Sequence, residues 1–384
     1  MEYKKKICVV TGSRAEYGLL KKTMQLIESS KALDLQLIVT GTHLSDEHGK
    51  TISHIIDDGF TPDFAIDILD GNPSDLATTN AISRIISKLP NFLEALNPDL
   101  LLVLGDRFEI FGAVVAALIH KVPVAHIHGG EVTEGAFDES LRHSITKMSH
   151  IHFTSTKAHK SRVEQLGEDP KKVFDVGAPG IEAIKSLELL SMRSVQELIG
   201  IPFKEKNYLI TFHPETLENS LSPKKQINNL LRCLENEENA SFIFTKANAD
   251  PGGNIVNEEI KKFVEQNPDR ASLHPSLGQL NYLSTMKFSS AVIGNSSSGI
   301  IEAPSLKVPV INIGSRQAGR TKSINVINCE NSIPEILNAF DHLSSFNVDS
   351  IDNPYDGGNT SEMIIKIIED ISLDSILKKK FIDI

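Results

Sequence analysis

The sequence predicts an α/β protein made of two Rossmann-like, doubly wound domains that face each other across a cleft. Short apolar runs alternate with longer amphipathic segments, which is typical of strand–helix–strand units that build parallel sheets. The length of 384 residues is about two and a half times that of a typical domain, which favours two domains over one core. Polar and glycine-rich segments directly follow the apolar runs, at the sheet edge where ligands bind.

Apolar runs mark the predicted strands in two series. The first series spans 7–11, 35–40, 100–104, 123–127, 151–154 and 173–176, and the second spans 208–212, 241–245, 291–293 and 308–313. The stretch 110–119 is predicted as a core helix, since it is shorter than the roughly 18 residues that a membrane span needs. The turn-forming segment 177–180 separates the series. The predicted domains are therefore 1–178 and 179–360, with an amphipathic helix in 361–384 that packs back on them.

Composition and charge exclude several classes of protein. Hydrophobic residues at 40% and charged residues at 23% exclude a disordered or collagen-like chain. The net charge of −11 makes a poor surface for nucleic acid or acidic lipid, so neither is predicted as a partner. The three cysteines lack Cys-x-x-Cys spacing, which argues against disulfides and a cysteine zinc site and fits a reducing cytoplasm.

Two segments that follow strands of the first half carry candidate site residues. The glycine-rich segment 12–18 places Arg14 where it suits an anion, although an ordinary turn with a solvated Arg14 explains the segment equally well. Asp106 and Arg107 follow the run 100–104 and deliver a carboxylate and a guanidinium to the sheet edge. Asp106 serves there either as a base or as the cap of the next helix.

A third segment combines histidines, glycines and acids. His126 and His128 are predicted to share one strand face, followed by a glycine pair and Glu131. A metal site is the weaker interpretation of these histidines, since no third ligand follows at a recognised zinc spacing, and no metal is predicted. Downstream, Asp138 and Arg142 fit the first turn of a helix as an i, i+4 pair, which either stabilises the helix or serves the site.

The second half offers a histidine and a serine-rich loop. His213 follows the run 208–212 and precedes a proline suited to a helix start, so it is either a cap or a catalytic group. The segment 294–299 is a glycine-flanked serine run that opens a helix and suits an anion, with Glu302 placed to accept from ribose hydroxyls. Arg316 adds a guanidinium at the next strand end. A flexible loop is the alternative for the serine run.

Together these motifs resemble the hydrolysing UDP-N-acetylglucosamine 2-epimerases of sialic acid synthesis over nearly the whole chain. The motifs are TGSRAEYG at 11–18, GDR at 105–107, HGGE at 128–131, HPE at 213–215, GNSSSG at 294–299 and RQAGR at 316–320. The Arg-Ala-Glu-Tyr form at 14–17 resembles the hydrolysing branch, whereas non-hydrolysing relatives resemble Thr-Arg-Pro-Glu there. Hydrolysis is therefore the expected outcome.

The resemblance implies a glycosyltransferase-B-like fold with the substrate between the domains, the sugar on the first and UDP mainly on the second. It implies conversion of UDP-GlcNAc and water to N-acetylmannosamine and UDP through 2-acetamidoglucal, without a cofactor, by a homodimer or homotetramer. The implied catalytic positions are Asp106 and His213, and His128, Glu131 and Asp138 are the candidates for a further proton-transfer residue. The implied UDP contacts are Arg14, Arg107, Asn248, His274, Ser296, Ser297, Glu302 and Arg316.

One departure from the family pattern leaves the proton-transfer residue open. Many relatives resemble His-x-Glu-Gly-Gly where this chain has histidine at position 128. Histidine can still shuttle a proton, so the role falls to His128, Glu131 or Asp138.

Three other functions remain open on the sequence. The same chemistry on a nucleotide-linked 2,4-diacetamido-2,4,6-trideoxyhexose of the legionaminic type is one. A glycosyltransferase-B sugar transferase is another, and a nucleotide-sugar sensor without turnover is the third.

Overall fold

The computed structural model describes residues 3–46, 49–70, 74–133, 137–215, 221–247, 252–343 and 346–383. The chain divides into two compact units: unit 1 comprises Met1–Ala183 and Tyr355–Ile384, and unit 2 comprises Ile184–Pro354. The predicted domain boundaries, after residues 178 and 360, lie a few residues from those of the two units, which are after Ala183 and after Pro354. Contacts within unit 1 account for the difference: Glu182 accepts hydrogen bonds from the amide and hydroxyl of Ser361 at 2.9 and 2.5 Å, and the Tyr355 carbonyl accepts from the Ala178 amide at 2.8 Å.

Unit 1 is built on a parallel sheet of seven strands in the order β3-β2-β1-β4-β5-β6-β7. The strands are β1 (Lys5–Thr11), β2 (Leu33–Thr40), β3 (Phe64–Ile66), β4 (Leu100–Leu104), β5 (Val124–Ile127), β6 (Ile151–Thr154) and β7 (Val173–Asp175). The helices are α1 (Arg14–Ser29), α2 (Ile52–Asp57), α3 (Asp75–Leu96), α4 (Phe108–Ile119), α5 (Asp138–Met148), α6 (Lys157–Gln165) and α7 (Pro179–Ser186), the last of which ends in unit 2.

Unit 2 is built on a parallel sheet of six strands in the order β10-β9-β8-β11-β12-β13. Its strands are β8 (Lys206–Thr211), β9 (Ala240–Thr245), β10 (Ala271–His274), β11 (Ala291–Gly294), β12 (Val310–Ile313) and β13 (Val326–Cys329). Its helices are α8 (Met192–Ile199), α9 (Pro223–Glu235), α10 (Gly253–Gln266), α11 (Gly278–Lys287), α12 (Ser297–Ile301) and α13 (Ile333–Leu343).

Both sheets follow the strand order of the doubly wound nucleotide-binding fold. In each, the first strand of the unit lies beside the fourth, so the order reverses between β1 and β4 and between β8 and β11. A crevice opens at such a reversal, outside the carboxyl ends of the strands. The two Rossmann-like α/β units predicted from the sequence are therefore present, and each has its own place for a ligand.

The strands are apolar because helices cover both faces of each sheet. In unit 1, Val9 and Leu102 lie in the core on one face, while Cys8 and Val103 lie in the core on the other. The cysteines at positions 8, 233 and 329 are buried free thiols. In the part of the chain that the structure describes, no helix is long and apolar enough to cross a membrane.

The chain returns to unit 1 through α14 (Thr360–Asp370). This helix packs on α1, where the Thr23 hydroxyl donates to the Ser361 hydroxyl at 3.1 Å. The helical pattern in the sequence runs on toward position 380, but the helix ends at Asp370.

Candidate functional site

Buried carboxyl groups support the turn after β1. Glu16 accepts a hydrogen bond from the Gly12 amide at 2.8 Å, and Ser13 caps α1. A side chain at position 12 would collide with Glu109, which is fully buried. Burial and the charge of Glu109 raise the pKa of Glu16 to about 8. Arg14 is exposed at the start of α1, so its guanidinium is accessible to an anion.

The turn after β4 holds Asp106 and Arg107 between fixed partners. Arg107 donates to Glu109 at 2.6 Å, and Asp106 forms an ion pair with Arg142. Neither side chain is an isolated helix cap: Arg107, not Asp106, occupies the N-cap position of α4, without a capping hydrogen bond from its side chain.

His126, on the neighbouring strand β5, holds the turn after β4 through a hydrogen bond. Its Nε2–H donates to the Gly105 carbonyl at 2.8 Å, which leaves Nδ1 to accept from the Thr146 hydroxyl at 3.2 Å. Burial lowers the pKa of His126 to about 3, so the ring is neutral. The predicted shared strand face of His126 and His128 is wrong: β5 ends at Ile127, and His128 adopts a left-handed conformation with φ of 68°. The strand alternation stops before it.

His128 and Glu131 form a hydrogen-bonded pair through Nδ1 and Oε1. Burial acts to raise the pKa of Glu131, but the charge and hydrogen bond of His128 outweigh it, and the pKa lies below its usual range. The Nε2 atom of His128 is buried and has no hydrogen-bond partner among the described residues. An imidazole oriented by a carboxylate, with its second nitrogen unpartnered, is suited to accept a proton.

Arg142 on α5 joins several of the predicted residues. It donates to Glu139 at 3.0 Å and to the Glu131 carbonyl at 3.0 Å, besides its ion pair with Asp106. The predicted i, i+4 pair with Asp138 is wrong, because within the described chain Arg142 turns toward these other groups. Arg142 is only 6% exposed, so its charge requires the carboxylates around it.

Asp138 lies near Asp106 but in a different electrostatic environment. Burial and the charge of Asp106 raise the pKa of Asp138, whereas Asp106 has the Arg142 guanidinium as its partner. A carboxyl group whose pKa is raised by burial is suited to act as a general acid. Unit 1 thus brings together the four predicted acid–base candidates Asp106, His128, Glu131 and Asp138 around Arg142.

His213 lies at the end of β8 in unit 2, directly beside β11. It is 5% exposed. The Asn295 amide binds its backbone twice, accepting from the His213 amide and donating to its carbonyl, both at 2.8 Å. The Asn295 carbonyl accepts in turn from Arg316 at 3.3 Å and Gln317 at 2.9 Å. These bonds fix His213, after β8, and Arg316, after β12, on either side of the end of β11.

The serine-rich segment after β11 is an ordered turn and a short helix, not a flexible loop. Ser296 caps α12, and the Ser298 hydroxyl bonds those of Ser296 at 3.1 Å and Tyr282 at 2.7 Å. Ser297 is the first residue of the helix and Glu302 its C-cap. Burial raises the pKa of Glu302 to about 7.

Two predicted UDP contacts lie elsewhere in unit 2. His274 ends β10 and bonds the Ser272 hydroxyl at 3.0 Å, and burial lowers its pKa. Asn248 lies outside the described residues.

Sequence reasoning missed Ser155 and His159, which contact the His128–Glu131 pair. Ser155 directly follows β6. Ligands bind beyond the carboxyl ends of parallel strands, so its position after a strand is the signal that predicts a role for it. Glu16 and Glu109 were missed as site residues because nothing in their local sequence shows that both are buried beside Gly12.

Known proteins of the same architecture act on nucleotide sugars. A putative UDP-N-acetylglucosamine 2-epimerase from Listeria monocytogenes superposes with a TM-score of 0.78 at 20% identity, covering 100% of both chains. The structure of a Neisseria meningitidis UDP-GlcNAc 2-epimerase bound to UDP-GlcNAc matches with a TM-score of 0.74 at 22% identity, over 94% of this chain and 99% of that one. The glycosyltransferase-B-like fold is thereby established for the chain.

Sequence relatives are more similar. A GDP/UDP-N,N'-diacetylbacillosamine 2-epimerase (hydrolyzing) of Campylobacter jejuni is 42% identical over 99% of this chain and 100% of its own. A polysialic acid biosynthesis protein of Escherichia coli is 39% identical over 95% of this chain and 94% of its own. A UDP-N,N'-diacetylbacillosamine 2-epimerase (hydrolyzing) of Legionella pneumophila is 33% identical over 98% of each chain.

The family model described as UDP-N-acetylglucosamine 2-epimerase matches residues 25–369, which include β2 to α14 and nearly all the candidate residues. Given that match and the long, similar relatives, this chain belongs to the UDP-N-acetylglucosamine 2-epimerase family and is an enzyme of the nucleotide-sugar 2-epimerase type.

Proposed function

We propose that this protein is a hydrolysing 2-epimerase whose substrate is a UDP-linked 2,4-diacetamido-2,4,6-trideoxyhexose. It converts this substrate and water to UDP and the free sugar inverted at C2. The observation that carries the reaction type is the set of carboxyl groups in unit 1 around Arg142, with the His128 Nε2 atom unpartnered beside them. The substrate follows from the relatives of 42% and 33% identity that are named for diacetylbacillosamine, itself a sugar of this class.

The chemistry has two stages. The C2 hydrogen is not adjacent to a carbonyl group and is weakly acidic, so cations must assist the departing diphosphate while a base removes the proton. Elimination breaks the C2–H and C1–O bonds and gives a glycal and UDP. Water then adds its oxygen to C1. A proton adds to C2 on the face opposite to the one from which the first proton was removed, which inverts C2 and balances the atoms.

The roles proposed for unit 1 follow from its hydrogen bonds. Of the three residues that the sequence left open, we propose His128 as the proton acceptor, at Nε2, because Glu131 occupies its Nδ1. Asp138 is suited to donate a proton because burial raises its pKa, and Asp106 to stabilise positive charge because it is paired with Arg142.

Unit 2 is proposed to hold the nucleotide. The proposed UDP contacts are Arg14, Arg107, Asn248, His274, Ser296, Ser297, Glu302 and Arg316, of which the last five have described positions in unit 2 and only Arg14 and Arg107 lie in unit 1. His213 is proposed as a further catalytic group, and the assembly as a homodimer or homotetramer.

A panel of nucleotide sugars tests the proposal. The purified protein is incubated with UDP-linked diacetylbacillosamine, its GDP-linked form and UDP-GlcNAc, each without an acceptor, and the products are followed by NMR. We expect UDP-linked diacetylbacillosamine to be converted faster than the other two nucleotide sugars, to UDP and the diacetamido sugar that is epimeric at C2. Preferential turnover of UDP-GlcNAc would instead assign the sialic acid precursor as substrate. UDP binding without turnover of any member would indicate a sensor and contradict the proposal.

Isotope labels distinguish the mechanism. In heavy water the product should carry deuterium at C2, and in ¹⁸O-water the label should enter at C1 of the sugar and be absent from UDP. Asp106→Asn should lower turnover by roughly a hundredfold or more, since the amide keeps an oxygen for Arg142 but loses the charge. The exposed Asp34→Asn on β2 is the matched control and should leave turnover unchanged. An unlabelled C2 would rule out elimination.

A further inference from the structure

A row of hydrogen bonds leads from His128 into the interior of unit 1. Glu131 Oε1 accepts one hydrogen bond from His128 Nδ1 and another from the Ser155 hydroxyl, the latter at 2.7 Å. The Ser155 oxygen then lies 2.9 Å from His159 Nδ1. Ser155 and His159 are 1% and 2% exposed, so solvent does not compete for these bonds.

The chemistry of the four groups fixes the direction of each bond. A carboxylate only accepts, so both His128 Nδ1 and Ser155 must donate to Glu131. The single hydroxyl hydrogen of Ser155 is thereby used, and its oxygen accepts from His159 Nδ1–H. Burial lowers the pKa of His159 to about 4, so its ring is neutral and its one hydrogen is at Nδ1. Neutral His128 consequently has its lone pair at Nε2.

The surrounding backbone holds the row in place. Arg142 donates to the Glu131 carbonyl, and Arg162 donates to the Gly130 carbonyl. A side chain at Gly130 would collide with the backbone carbonyl of His159, so the glycine lets α6 approach the Glu131 segment closely. The charged and titratable groups facing Glu131 are therefore His128, His159 and Arg142, with Arg162 behind Gly130.

We propose that Ser155 and His159 are positioning residues that orient Glu131 and so hold His128 in the tautomer with its lone pair at Nε2. This inference rests on the proposed function for its consequence in catalysis, since that lone pair is the proposed acceptor of the C2 proton. Neither Ser155 nor His159 needs to contact substrate. Their effect is on which nitrogen of His128 is basic and on how strongly Glu131 attracts the proton that His128 gains.

Two substitutions of His159 form a matched pair. His159→Asn places an amide N–H near the position of Nδ1 and keeps the bond to Ser155, whereas His159→Gln places its amide near Nε2 and loses that bond. We expect His159→Asn to stay within about threefold of wild type, and His159→Gln and Ser155→Ala to lower kcat roughly ten- to a hundredfold with little change in KM.

The pH profile gives a second readout. When Glu131 loses the orienting Ser155 hydrogen bond, its carboxylate is no longer held against His128 Nδ1 and stabilises the imidazolium form of His128 less strongly. The acidic limb of kcat/KM should therefore move to lower pH in Ser155→Ala and His159→Gln and stay in place in His159→Asn. Unchanged profiles in all three variants, with wild-type turnover, would overturn the proposal.

A measurement without substrate separates this inference from the proposed function. In ¹⁵N NMR at neutral pH, His128 of the intact protein should be the Nδ1–H tautomer, and Ser155→Ala should show a mixture of tautomers. Thermal unfolding identifies any variant that has lost its fold. If wild type turns over no nucleotide sugar but the tautomer shifts as expected, the proposed function fails and the positioning role stands. A tautomer that is the same in both proteins contradicts the positioning role.

Discussion

At the scale of single residues, the proposed nucleotide contact Glu302 should make the affinity for UDP depend on pH. Burial raises its pKa to about 7, so at neutral pH about half of the free protein carries the protonated form. Ribose hydroxyls that donate to this group favour the carboxylate. Affinity for UDP should therefore rise as pH increases through 7, by about tenfold between pH 6 and 8 if only the ionised form binds.

Calorimetric titration of UDP at pH 6, 7 and 8 measures this dependence. Glu302→Gln is the matched variant, because it keeps an acceptor of the same shape and cannot titrate. The titration of the UDP phosphate is common to both proteins and cancels in their ratio. A ratio of affinities that stays constant with pH would mean that Glu302 does not accept from the bound nucleotide.

His128 shows why some residue-level predictions could not be made from sequence. The residue itself was found, since it lies at a strand end among glycines and acids. Its tautomer depends on Ser155 and His159, which are distant in the sequence and come close only through the pairing of β5 with β6. Position 128 also has a positive φ, which no local pattern for a histidine indicates.

At the scale of elements, the close packing of the segment after β5 against α6 depends on a glycine. Gly130 has φ of 77°, and a methyl group there would lie inside van der Waals contact with the His159 carbonyl oxygen. Gly130→Ala should therefore destabilise the protein by roughly 2–4 kcal/mol and disturb the His128–Glu131 pair. Chemical denaturation measures the loss.

Gly18 in α1 is the matched control for that substitution. A Cβ atom there meets nothing within 4 Å, and the residue is helical. Gly18→Ala should therefore stabilise the protein by about 0.5–1 kcal/mol, because alanine loses less backbone entropy in a helix. Equal effects of the two substitutions would contradict the close packing of Gly130 on α6.

The sequence predicted every interior strand of the two sheets and one edge strand, β7. β4 and β6 have the predicted bounds, and every residue in them is buried. β3, β10 and β13 were missed. They are edge strands of three or four residues and are only partly buried, so their sequences lack a long apolar run. Sheet pairing, not local preference, makes them strands.

At the scale of the whole molecule, the chain leaves unit 1 once and returns to it. The predicted helix in the tail belongs to unit 1, where α14 packs on α1. Beyond this helix, Ile382 donates its amide to the Gly167 carbonyl at 3.0 Å. Unit 1 is thus formed from two separate segments of the sequence, whereas unit 2 is continuous in sequence.

Glu168 links the tail to the sheet of unit 1. Its buried carboxylate accepts from Lys379 and Lys147, both at 2.7 Å, and lies 3.0 Å from His152. Burial acts to raise its pKa, but His152 and the two lysines outweigh this and lower it to about 2. Because the folded-state pKa is below the unfolded value, this stabilisation is present above pH 4.5 and is lost as pH falls toward 2.

Lys379→Met should consequently destabilise unit 1 by roughly 1–3 kcal/mol at pH 7, since it removes one partner of a buried carboxylate and keeps the aliphatic part of the side chain. Lys378→Met is the matched control, because Lys378, unlike Lys379, forms no ion pair with the described residues, and its substitution should change stability by less than about 0.5 kcal/mol. Thermal unfolding of the three proteins at pH 7 and pH 4 measures both effects. The difference in stability between Lys379→Met and wild type should be smaller at pH 4. At that pH the Glu168 carboxyl group of the unfolded chain is largely protonated, so the low pKa of Glu168 in the folded protein stabilises it less. A difference that is the same at both pH values would mean that Lys379 stabilises the tail by packing or by its hydrogen bonds to the Lys147 and Ser149 carbonyls, and not through Glu168.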